Sequence, residues 1–303
     1  MIWVENFDLT KYSDCLVVTD SNLANLYAIA GDNVFVLPCG EKAKDFAWAK
    51  KLCSWFLSKN LDKKGTVVAV GGGSVGDVAG FAASIYKRGV KVLNVPTTLL
   101  SMVDSAIGGK TAVNLDGVKN AVGTIIDVDT LIDTRFLQTL SDEQMDEGWG
   151  EIEKYRLLDK KINAYKGDLE GLIALCANYK QSVVASDPYD QGARKRLNLG
   201  HTVAHGLELT YNLPHGQAVK YGLYHEMVIA VHLGVLSAKK FTDWASKTNL
   251  DVARYPVTSK VMQAMQNDKK NHDGLVVFVL PTDNFDVYEV GLTTEVVSKY
   301  VVY

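Results

Sequence analysis

The sequence predicts an α/β domain with a parallel sheet over residues 1–141, followed by a mostly α-helical domain over residues 142–303. Two observations predict this division. Short apolar strands alternate with helical patterns in the first half, whereas long helical periodicities dominate from about residue 140 onward. The strands of the first half are apolar along their whole length, which is typical of a parallel sheet covered by helices on both faces.

The predicted strands and helices of the first domain alternate along the chain. The clearest helical spacing is that of Ala49, Leu52, Cys53 and Phe56, which recur every three or four residues. The predicted strands cover residues 16–20, 34–38, 66–70 and 92–95, and the predicted helices cover residues 42–59 and 75–87.

The second domain is predicted from long helical patterns and one short strand. The apolar run from Gly274 to Leu280 predicts the strand. The predicted helices cover residues 142–158, 168–185, 201–211 and 218–236.

The overall composition argues against several classes of protein. A formal net charge of −3 argues against a nucleic-acid or polyanion binder, so any basic function must be local. No run approaches the roughly 18 apolar residues of a membrane span, and the first residues do not form a secretory leader pattern. The four cysteines form no Cys-x-x-Cys pair, which predicts buried free thiols in a reducing compartment. We therefore expect a cytoplasmic protein with no nucleic-acid or membrane partner.

A glycine-rich turn follows the strand over residues 66–70. Its sequence, Gly71-Gly-Gly-Ser-Val-Gly-Asp77, fits the pattern G-x-G-x-x-G, in which bare amides at a helix N-terminus bind a pyrophosphate. The acidic ribose ligand expected about 20 residues later is absent, so a tight structural turn is an alternative. Polar side chains on the following loops favour an anion site: Arg88, Thr97, Thr98, Asp104, Lys110, Lys119 and Asn120.

Three of the six histidines lie in or just after one short basic segment. His201 and His205 are four residues apart, so a helix presents both imidazoles on one face, and His215 follows. Such a face suits a divalent metal, an acid/base pair, or one of each. The preceding cations, beginning at Arg194, would attract an anionic substrate.

Motifs that span most of the chain occur in the order typical of one family. They are Gly71-Gly-Gly-Ser-Val-Gly-Asp77, Tyr86-Lys-Arg88-Gly, Pro96-Thr-Thr-Leu-Leu100, Val103-Asp-Ser105, Gly108-Gly-Lys110, Lys119-Asn120, Glu151-Ile-Glu-Lys154-Tyr155, Arg194 with Asn198-Leu-Gly-His-Thr, His205, His215-Gly-Gln and Asp268-Lys-Lys270. On these motifs the chain resembles the 3-dehydroquinate synthase family, one of the sugar-phosphate cyclases. The resemblance implies a nucleotide-binding first domain and a second domain that binds a metal and the substrate.

The resemblance also implies a reaction. Members of this family convert 3-deoxy-D-arabino-heptulosonate 7-phosphate to 3-dehydroquinate and phosphate in the shikimate pathway, with recycled NAD and a divalent metal, zinc or cobalt, in a homodimer. The alternatives are a related metal- and NAD-dependent polyol or glycerol-phosphate dehydrogenase, a different sugar-phosphate cyclase, and a degenerate homologue without activity.

The metal ligands implied by the resemblance are Glu151, His201 and His215. Two imidazoles and one carboxylate leave coordination positions open for substrate hydroxyls, as in catalytic zinc sites. His205 matches a histidine beside the metal that serves in proton transfer or contacts the leaving group. The other implied catalytic residues are Lys110, Lys154, Arg194 and Asn198.

The resemblance further implies residues that bind the substrate and the cofactor. Arg88 would act across the dimer. The implied substrate-binding residues are Arg88, Asp104, Lys110, Asn120, Lys154, Lys180, Arg194, Asn198, His205, Lys269 and Lys270. The implied NAD contacts are Asp20, Glu41, Lys44, Gly72, Gly73, Asp77, Thr97, Thr98, Asp104, Lys119 and Thr139.

The chain departs from the family pattern at a few places. Glu153 stands where an apolar residue is usual, Arg156 where glycine is usual, and Asp190 where glutamate is common. The segment between Glu151 and Lys180 is also shorter than is usual in the family. None of the implied ligands is missing.

Overall fold

The computed structural model describes residues 1–266, 271 and 274–301. The chain forms two compact units. The N-terminal unit comprises residues 1–145 and 169–182, and the C-terminal unit comprises residues 146–168 and 183–303. Residues 169–182, which the sequence analysis assigned to the helical domain, therefore pack within the N-terminal unit.

The N-terminal unit is built on a six-stranded parallel sheet. The first eight strands are β1 (Ile2–Val4), β2 (Leu16–Asp20), β3 (Val34–Leu37), β4 (Thr66–Gly71), β5 (Lys91–Pro96), β6 (Lys110–Leu115), β7 (Val118–Ile125) and β8 (Asp129–Ile132). The sheet has the order β1-β8-β5-β4-β2-β3, and all its neighbours are parallel. The predicted parallel sheet is confirmed.

The register of β4 with β5 places two loops side by side. Gly71, the last residue of β4, pairs with Pro96, the last residue of β5. The Thr97 amide donates to the Gly71 carbonyl at 3.0 Å. The glycine turn and the pair Thr97-Thr98 therefore leave the same edge of the sheet together, as the carboxyl ends of parallel strands do.

Three helices alternate with the strands of this sheet along the chain. Asp20 begins the first helix, because its carboxylate accepts hydrogen bonds from the amides of Asn22 and Leu23. The predicted helical spacing is confirmed at Ala49, Leu52 and Phe56, whose side chains are fully buried. The N-terminal unit contains α1 (Ser21–Leu26), α2 (Phe46–Ser58), α3 (Gly73–Ile85) and most of α6 (Leu169–Ser186). Most of α4 (Asp142–Leu158) and all of α5 (Lys160–Ala164) belong to the C-terminal unit.

An antiparallel hairpin of β6 and β7 was not predicted from the sequence. Its turn is Asp116-Gly117, and both residues have positive φ, at 51° and 80°. This conformation matches the twist of a two-residue hairpin, and Asp-Gly is a strong signal for it. Lys110 is consequently the first residue of a strand, and Lys119 and Asn120 lie within β7 rather than on a turn.

The C-terminal unit is mainly helical and ends in a β-hairpin followed by a helix. Its remaining elements are α7 (His201–Tyr211), α8 (His215–His232), α9 (Ala238–Thr248), α10 (Ser259–Gln266), β9 (Val276–Pro281), β10 (Val287–Leu292) and α11 (Thr294–Tyr300). Helix α7 has the predicted bounds. Helix α8 begins three residues earlier than predicted, directly after Pro214, and it ends before Gly234, whose φ is +73°.

One unusual polar residue of α4, Glu153, contacts α9, and a second, Arg156, contacts Glu153. The indole of Trp244 donates a hydrogen bond to the Glu153 carboxylate at 3.1 Å, and Arg156 lies 3.4 Å from the same carboxylate. Burial raises the pKa of Glu153, although Arg156 and Trp244 partly oppose this effect. Glu153 and Arg156, two of the departures from the family pattern, thus form one polar cluster with Trp244.

The cysteines are free, but they are not uniformly buried. Cys176 is buried and Cys15 and Cys53 are half-buried, whereas Cys39 is exposed. The expectation of buried thiols is therefore wrong for Cys39, which follows β3 at the start of a short surface turn. Among the described helices, none is long and apolar enough to cross a bilayer.

We predict that His225 reduces the stability of the fold at mildly acidic pH. His225 is fully buried in α8, and neither ring nitrogen has a hydrogen-bond partner among the described residues. Burial lowers its pKa from 6.5 to about 4. Between these values only the unfolded chain binds the proton, so the free energy of unfolding falls as the pH drops, by roughly 3 kcal/mol from this residue.

Denaturant titrations of wild type and His225→Leu across this pH window measure the effect. The variant should lose less stability than wild type between pH 6.5 and pH 4, because leucine takes up no proton in the unfolded chain. An equal loss in both proteins would contradict the prediction.

Candidate functional site

A carboxylate and two imidazoles meet inside the C-terminal unit. Glu151 lies on α4, His201 is the first residue of α7, and His215 is the first residue of α8. One ligand atom from each residue lies within 4.8 Å of the others. Glu151 Oε1 is 3.2 Å from His215 Nε2 and 3.5 Å from His201 Nε2. We call these three residues the triad.

Two glycines allow the triad to form. A Cβ atom on Gly150 would lie 2.0 Å from the Gly216 carbonyl oxygen, and one on Gly216 would lie 1.8 Å from the Glu147 carbonyl oxygen. Real side chains cannot occupy such positions, so α4 and the start of α8 are in backbone contact here. Because Glu151 and His215 adjoin these glycines, the contact brings the two side chains together.

The second nitrogen of each imidazole is also engaged. His201 Nδ1 lies 3.0 Å from the Leu199 carbonyl oxygen, and His215 Nδ1 lies 2.6 Å from Glu208 Oε1. A carbonyl only accepts, so His201 Nδ1 donates and the lone pair is left on Nε2, which faces Glu151. This arrangement is the one that orients histidines for metal binding. The triad therefore fits a divalent metal ion by both its donor set and its orientation.

The two imidazoles differ in their electrostatic environment. Burial lowers the pKa of His201 well below its usual value, although Glu151 opposes this. Burial also acts to lower the pKa of His215, but hydrogen bonds to Glu151 and Glu208 outweigh it and raise the pKa to about 10. A metal ion would have to displace the proton of His215, so its binding would release protons and depend on pH.

Lys154 lies beside the triad. Its ammonium group forms a salt bridge with Glu151 one helical turn away, and both side chains are almost completely buried, at 1% and 0% exposure. The cation offsets the cost of the buried carboxylate. It also places a positive charge next to the candidate metal position.

His205 is not part of the triad. Its ring centroid lies 5.7 Å from that of His201, and the two rings are edge-on. The His201 ring is closer to His215, at 5.2 Å. The group that could hold a metal therefore includes His201 and not His205, although both lie on one helix.

Arg194 and Asn198 lie on a short 3-10 helix, Ala193–Asn198, which directly precedes α7. Arg194 is 4% exposed, and its Nη1 atom donates to the Pro188 carbonyl at 3.2 Å. The Asp187 carboxylate accepts hydrogen bonds from the Gln191, Gly192 and Arg194 amides at 2.9, 2.7 and 3.0 Å. These bonds set the backbone from which Arg194 extends.

The glycine turn of the N-terminal unit forms the second candidate site. Helix α3 begins at Gly73, and Gly72 is its N-cap. A Cβ atom on Gly72 or Gly73 would lie 3.2 Å from the Thr98 side chain or 3.0 Å from Ser105 Oγ, respectively. A side chain at either position would therefore crowd Thr98 or Ser105. A pocket beside it is lined by Gly72, Gly73, Asp77, Asn94, Ser105 and Lys110, among others.

A polar network joins several of the predicted NAD contacts. Lys44 Nζ lies 2.6 Å from Asp77 Oδ2 and donates to Asn120 Oδ1 at 2.5 Å. Asn114 connects the network to Glu41, because its amide group donates to Glu41 Oε1 at 2.7 Å. Burial raises the pKa of Asp77, and the contact with Lys44 opposes this effect.

Lys180 and Asp104 form another ion pair in the N-terminal unit. Lys180 Nζ lies 2.9 Å from Asp104 Oδ1 and also donates to the Asp104 carbonyl at 2.7 Å. Both residues were predicted to bind substrate. The pairing joins α6 to the π-helical turn Ser101–Ser105, which follows β5.

The remaining residues that were predicted to bind NAD or substrate are more dispersed. Asp20 caps α1, Thr98 hydrogen-bonds Ser101, and Thr139 hydrogen-bonds Tyr27. Thr97 is buried, whereas Arg88, Lys110 and Lys119 are exposed. Lys269 and Lys270 lie outside the described residues.

Two residues at these sites were absent from the predicted set. Glu208, which contacts His215, lies seven residues after His201 and three after His205. This spacing continues the same face of α7, so a search of that face could have found it. Asn114, which links Glu41 to the Lys44 network, carried no comparable signal.

The chain is similar to known proteins along most of its length. Residues 34–147 match the family model of the 3-dehydroquinate synthase N-terminal region, and residues 130–271 match that of the 3-dehydroquinate synthase C-terminal region. A 3-dehydroquinate synthase from Alkaliphilus metalliredigens (strain QYMF) is 37% identical over 318 residues, covering 94% of this chain and 88% of the relative.

Two solved structures share the fold, and each covers 99% of this chain and 95% of its own. One is 2-deoxy-scyllo-inosose synthase complexed with carbaglucose-6-phosphate, NAD⁺ and Co²⁺, with a TM-score of 0.84 at 22% identity. The other is 2-epi-5-epi-valiolone synthase from Streptomyces hygroscopicus subsp. jinggangensis 5008 with NAD⁺ and Zn²⁺, with a TM-score of 0.83 at 25% identity.

We predict that Glu151→Ala and His201→Ala abolish tight binding of Zn²⁺ or Co²⁺. Each substitution removes one of three direct donors, so the loss of affinity should exceed the roughly 10- to 100-fold that is typical of residues that only orient a ligand. Metal content after equilibrium dialysis measures this. His205→Ala on the same helix is the matched control and should retain the metal. Full occupancy in Glu151→Ala, or equal losses in the two histidine variants, would refute the assignment.

Proposed function

The chain belongs to the 3-dehydroquinate synthase family, and we propose that it converts 3-deoxy-D-arabino-heptulosonate 7-phosphate to 3-dehydroquinate and phosphate. The observation that carries the proposal is the triad of Glu151, His201 and His215 with the buried cation Lys154 beside it. Such a site suits a carbon–oxygen lyase that releases phosphate from a carboxylated sugar phosphate, because a metal would polarise the reacting oxygen and cations would bind the anionic groups.

The two units would divide the work. We propose that the N-terminal unit binds NAD⁺ and that the C-terminal unit holds the metal and most of the substrate contacts. The N-terminal unit includes the whole of the predicted domain of residues 1–141. The bare glycine turn at the start of α3 supports the first assignment, since helix N-termini bind phosphate groups. The family resemblance supports Lys44, Asp77 and Thr98 as further cofactor contacts.

The triad would hold zinc or cobalt through Glu151 Oε1 and the two Nε2 atoms. When bound, NAD⁺ would accept and return a hydride, and the metal would polarise the reacting oxygen. Leu199 and Glu208 keep the imidazoles turned toward Glu151. His205, one turn along α7, would exchange a proton with the substrate near the departing phosphate.

Cationic side chains would hold the substrate. Arg194 is buried, so its charge is poorly screened by water and would bind a carboxylate or phosphate strongly. Lys154 is paired with Glu151, and the family resemblance supports it as a further substrate contact. Fixing a flexible anion in one conformation also reduces the entropic cost of β-elimination and of the aldol ring closure. Asn198 would bind a hydroxyl, and the family resemblance supports Lys110, Asn120, Lys180 and Asp104 as further substrate contacts.

We further propose a cytoplasmic homodimer. The family resemblance implies that Arg88 reaches the site of a second protomer, and the exposure of Arg88 is compatible with that role. The oligomeric state in solution can be measured by light scattering.

A phosphate-release assay on the metal-loaded protein tests the activity. With NAD⁺ and 3-deoxy-D-arabino-heptulosonate 7-phosphate, phosphate and 3-dehydroquinate should form in equal amounts with no net NADH. Glu151→Ala is the inactive control. Accumulation of NADH from a simple polyol would instead favour a dehydrogenase. A folded, metal-loaded protein that releases no phosphate would refute the proposal.

We predict that Arg194→Ala lowers kcat/KM by removing a charged substrate anchor. The loss of transition-state binding should be roughly 2–4 kcal/mol, with a higher KM and a lower kcat. Lys195→Ala is the matched control, because Lys195 is the next residue but is exposed and pairs with Glu289. Steady-state kinetics measure both variants. Unchanged kinetics in Arg194→Ala would remove this residue from the site.

A further inference from the structure

The helix that carries His201 has no capping side chain of its own. Its N-cap residue is Gly200, which has a φ of +83° and offers no side-chain acceptor. The first amides of a helix lack partners within the helix and need an acceptor, most often the side chain of the N-cap residue. His201 occupies the first position of this helix, so the amides that need an acceptor from outside the helix lie on either side of a triad residue.

Glu226 supplies the missing acceptor from another helix. Its carboxylate accepts the Gly200 amide at 2.7 Å, the Thr202 amide at 3.0 Å and the Val203 amide at 3.2 Å. Thr202 and Val203 are the positions that an N-cap side chain normally serves. Glu226 is fully buried and lies on α8, more than 20 residues after the amides that it accepts.

Close packing of α8 on the start of α7 makes this contact possible. A Cβ atom on Gly222 would lie 2.0 Å from the Gly200 carbonyl oxygen, and one on Gly200 would lie 2.8 Å from the Leu223 side chain. The two backbones therefore touch one turn before Glu226. This contact brings the Glu226 carboxylate to the N-terminal end of α7. A negative charge at a helix N-terminus is also favoured by the helix dipole.

We propose that Glu226 is a positioning residue for the metal site, acting through the backbone that carries His201. The inference rests on the proposed metal-binding role of the triad. The carboxylate holds residues 200–203, and the carbonyl of Leu199 just before them orients His201 through Nδ1. Helix α8 thus provides one ligand, His215, and also the carboxylate that holds the helix of a second ligand.

The contact of Glu226 with residues 200–203, which we call the clamp, should affect metal binding as well as the stability of the fold. A capping interaction that only stabilised the fold would change the unfolding temperature and leave the geometry at His201 intact. A clamp that positions His201 Nε2 should also control metal affinity and coordination geometry. A test must therefore measure the unfolding temperature and the metal affinity separately.

Glu226→Gln is the primary variant. The amide is nearly the same size, but it has one acceptor oxygen, and its NH₂ group would face amide donors. Thr202→Val is the matched control: it removes a buried hydrogen bond from the Thr202 hydroxyl to the Val277 carbonyl, at 2.9 Å, in the same helical turn. Glu226→Asp, which keeps the charge on a shorter side chain, is the second variant in case the amide prevents folding.

Three measurements are made on the full chain: Co²⁺ affinity by competition with a chelating dye, the visible absorption bands of bound Co²⁺, and thermal unfolding of the metal-free protein. Glu226→Gln should bind Co²⁺ about 10- to 100-fold more weakly than wild type and with altered bands. Glu226→Asp should change in the same direction. Thr202→Val should lose thermal stability but keep the wild-type affinity and bands.

The possible failures are distinguishable. Wild-type affinity and bands in a folded Glu226→Gln or Glu226→Asp protein would overturn the inference and leave the proposed function standing. An equal loss of affinity in Thr202→Val would also overturn it, because the effect would then be general destabilisation. Absence of Co²⁺ binding by the wild-type protein would overturn the proposed metal site and this inference with it.

Discussion

The backbone contact between Gly150 and Gly216 is the constraint on which the candidate metal centre depends. A side chain at either position would meet carbonyl oxygens within about 2 Å and would force α4 away from the start of α8. That movement would separate Glu151 from His215. The contact also explains how a carboxylate can be completely buried here: the helices are close enough for two imidazoles and Lys154 to surround it, which offsets the cost of removing the charge from water.

The imidazoles are held from behind by groups outside the triad. Leu199 and Glu208 engage the Nδ1 atoms, and Glu226 holds the backbone on which His201 stands. These contacts connect α7 and α8 in both directions. The donor chemistry of His201 and His215 and the packing of the two helices are therefore linked, because Glu208 and Glu226 each join α7 to α8.

In the N-terminal unit, strand pairing rather than helix packing brings the polar residues together. Pairing of Gly71 with Pro96 brings the glycine turn beside the next loop, and Lys44 reaches both Asp77 and Asn120. The polar residues that distinguish this chain from the usual family pattern lie elsewhere. Glu153 contacts Trp244 on α9, away from the triad's own hydrogen bonds, which is consistent with retention of every implied ligand.

Local patterns in the sequence predicted four of the six strands of the parallel sheet, the bounds of α4 and α7, and the shared face of His201 and His205, because these depend on residues within a few turns. The strands β1 and β8 were not predicted. Similarity to a known family suggested the distant partners. Only the tertiary structure brought Glu151 and His215 together, 64 residues apart, and joined Glu226 to the start of α7. Such contacts depend on where two helix backbones can touch, and no periodicity within either helix encodes that distance. The hairpin of β6 and β7 is the exception, since its Asp116-Gly117 turn was a local signal that sequence reasoning overlooked.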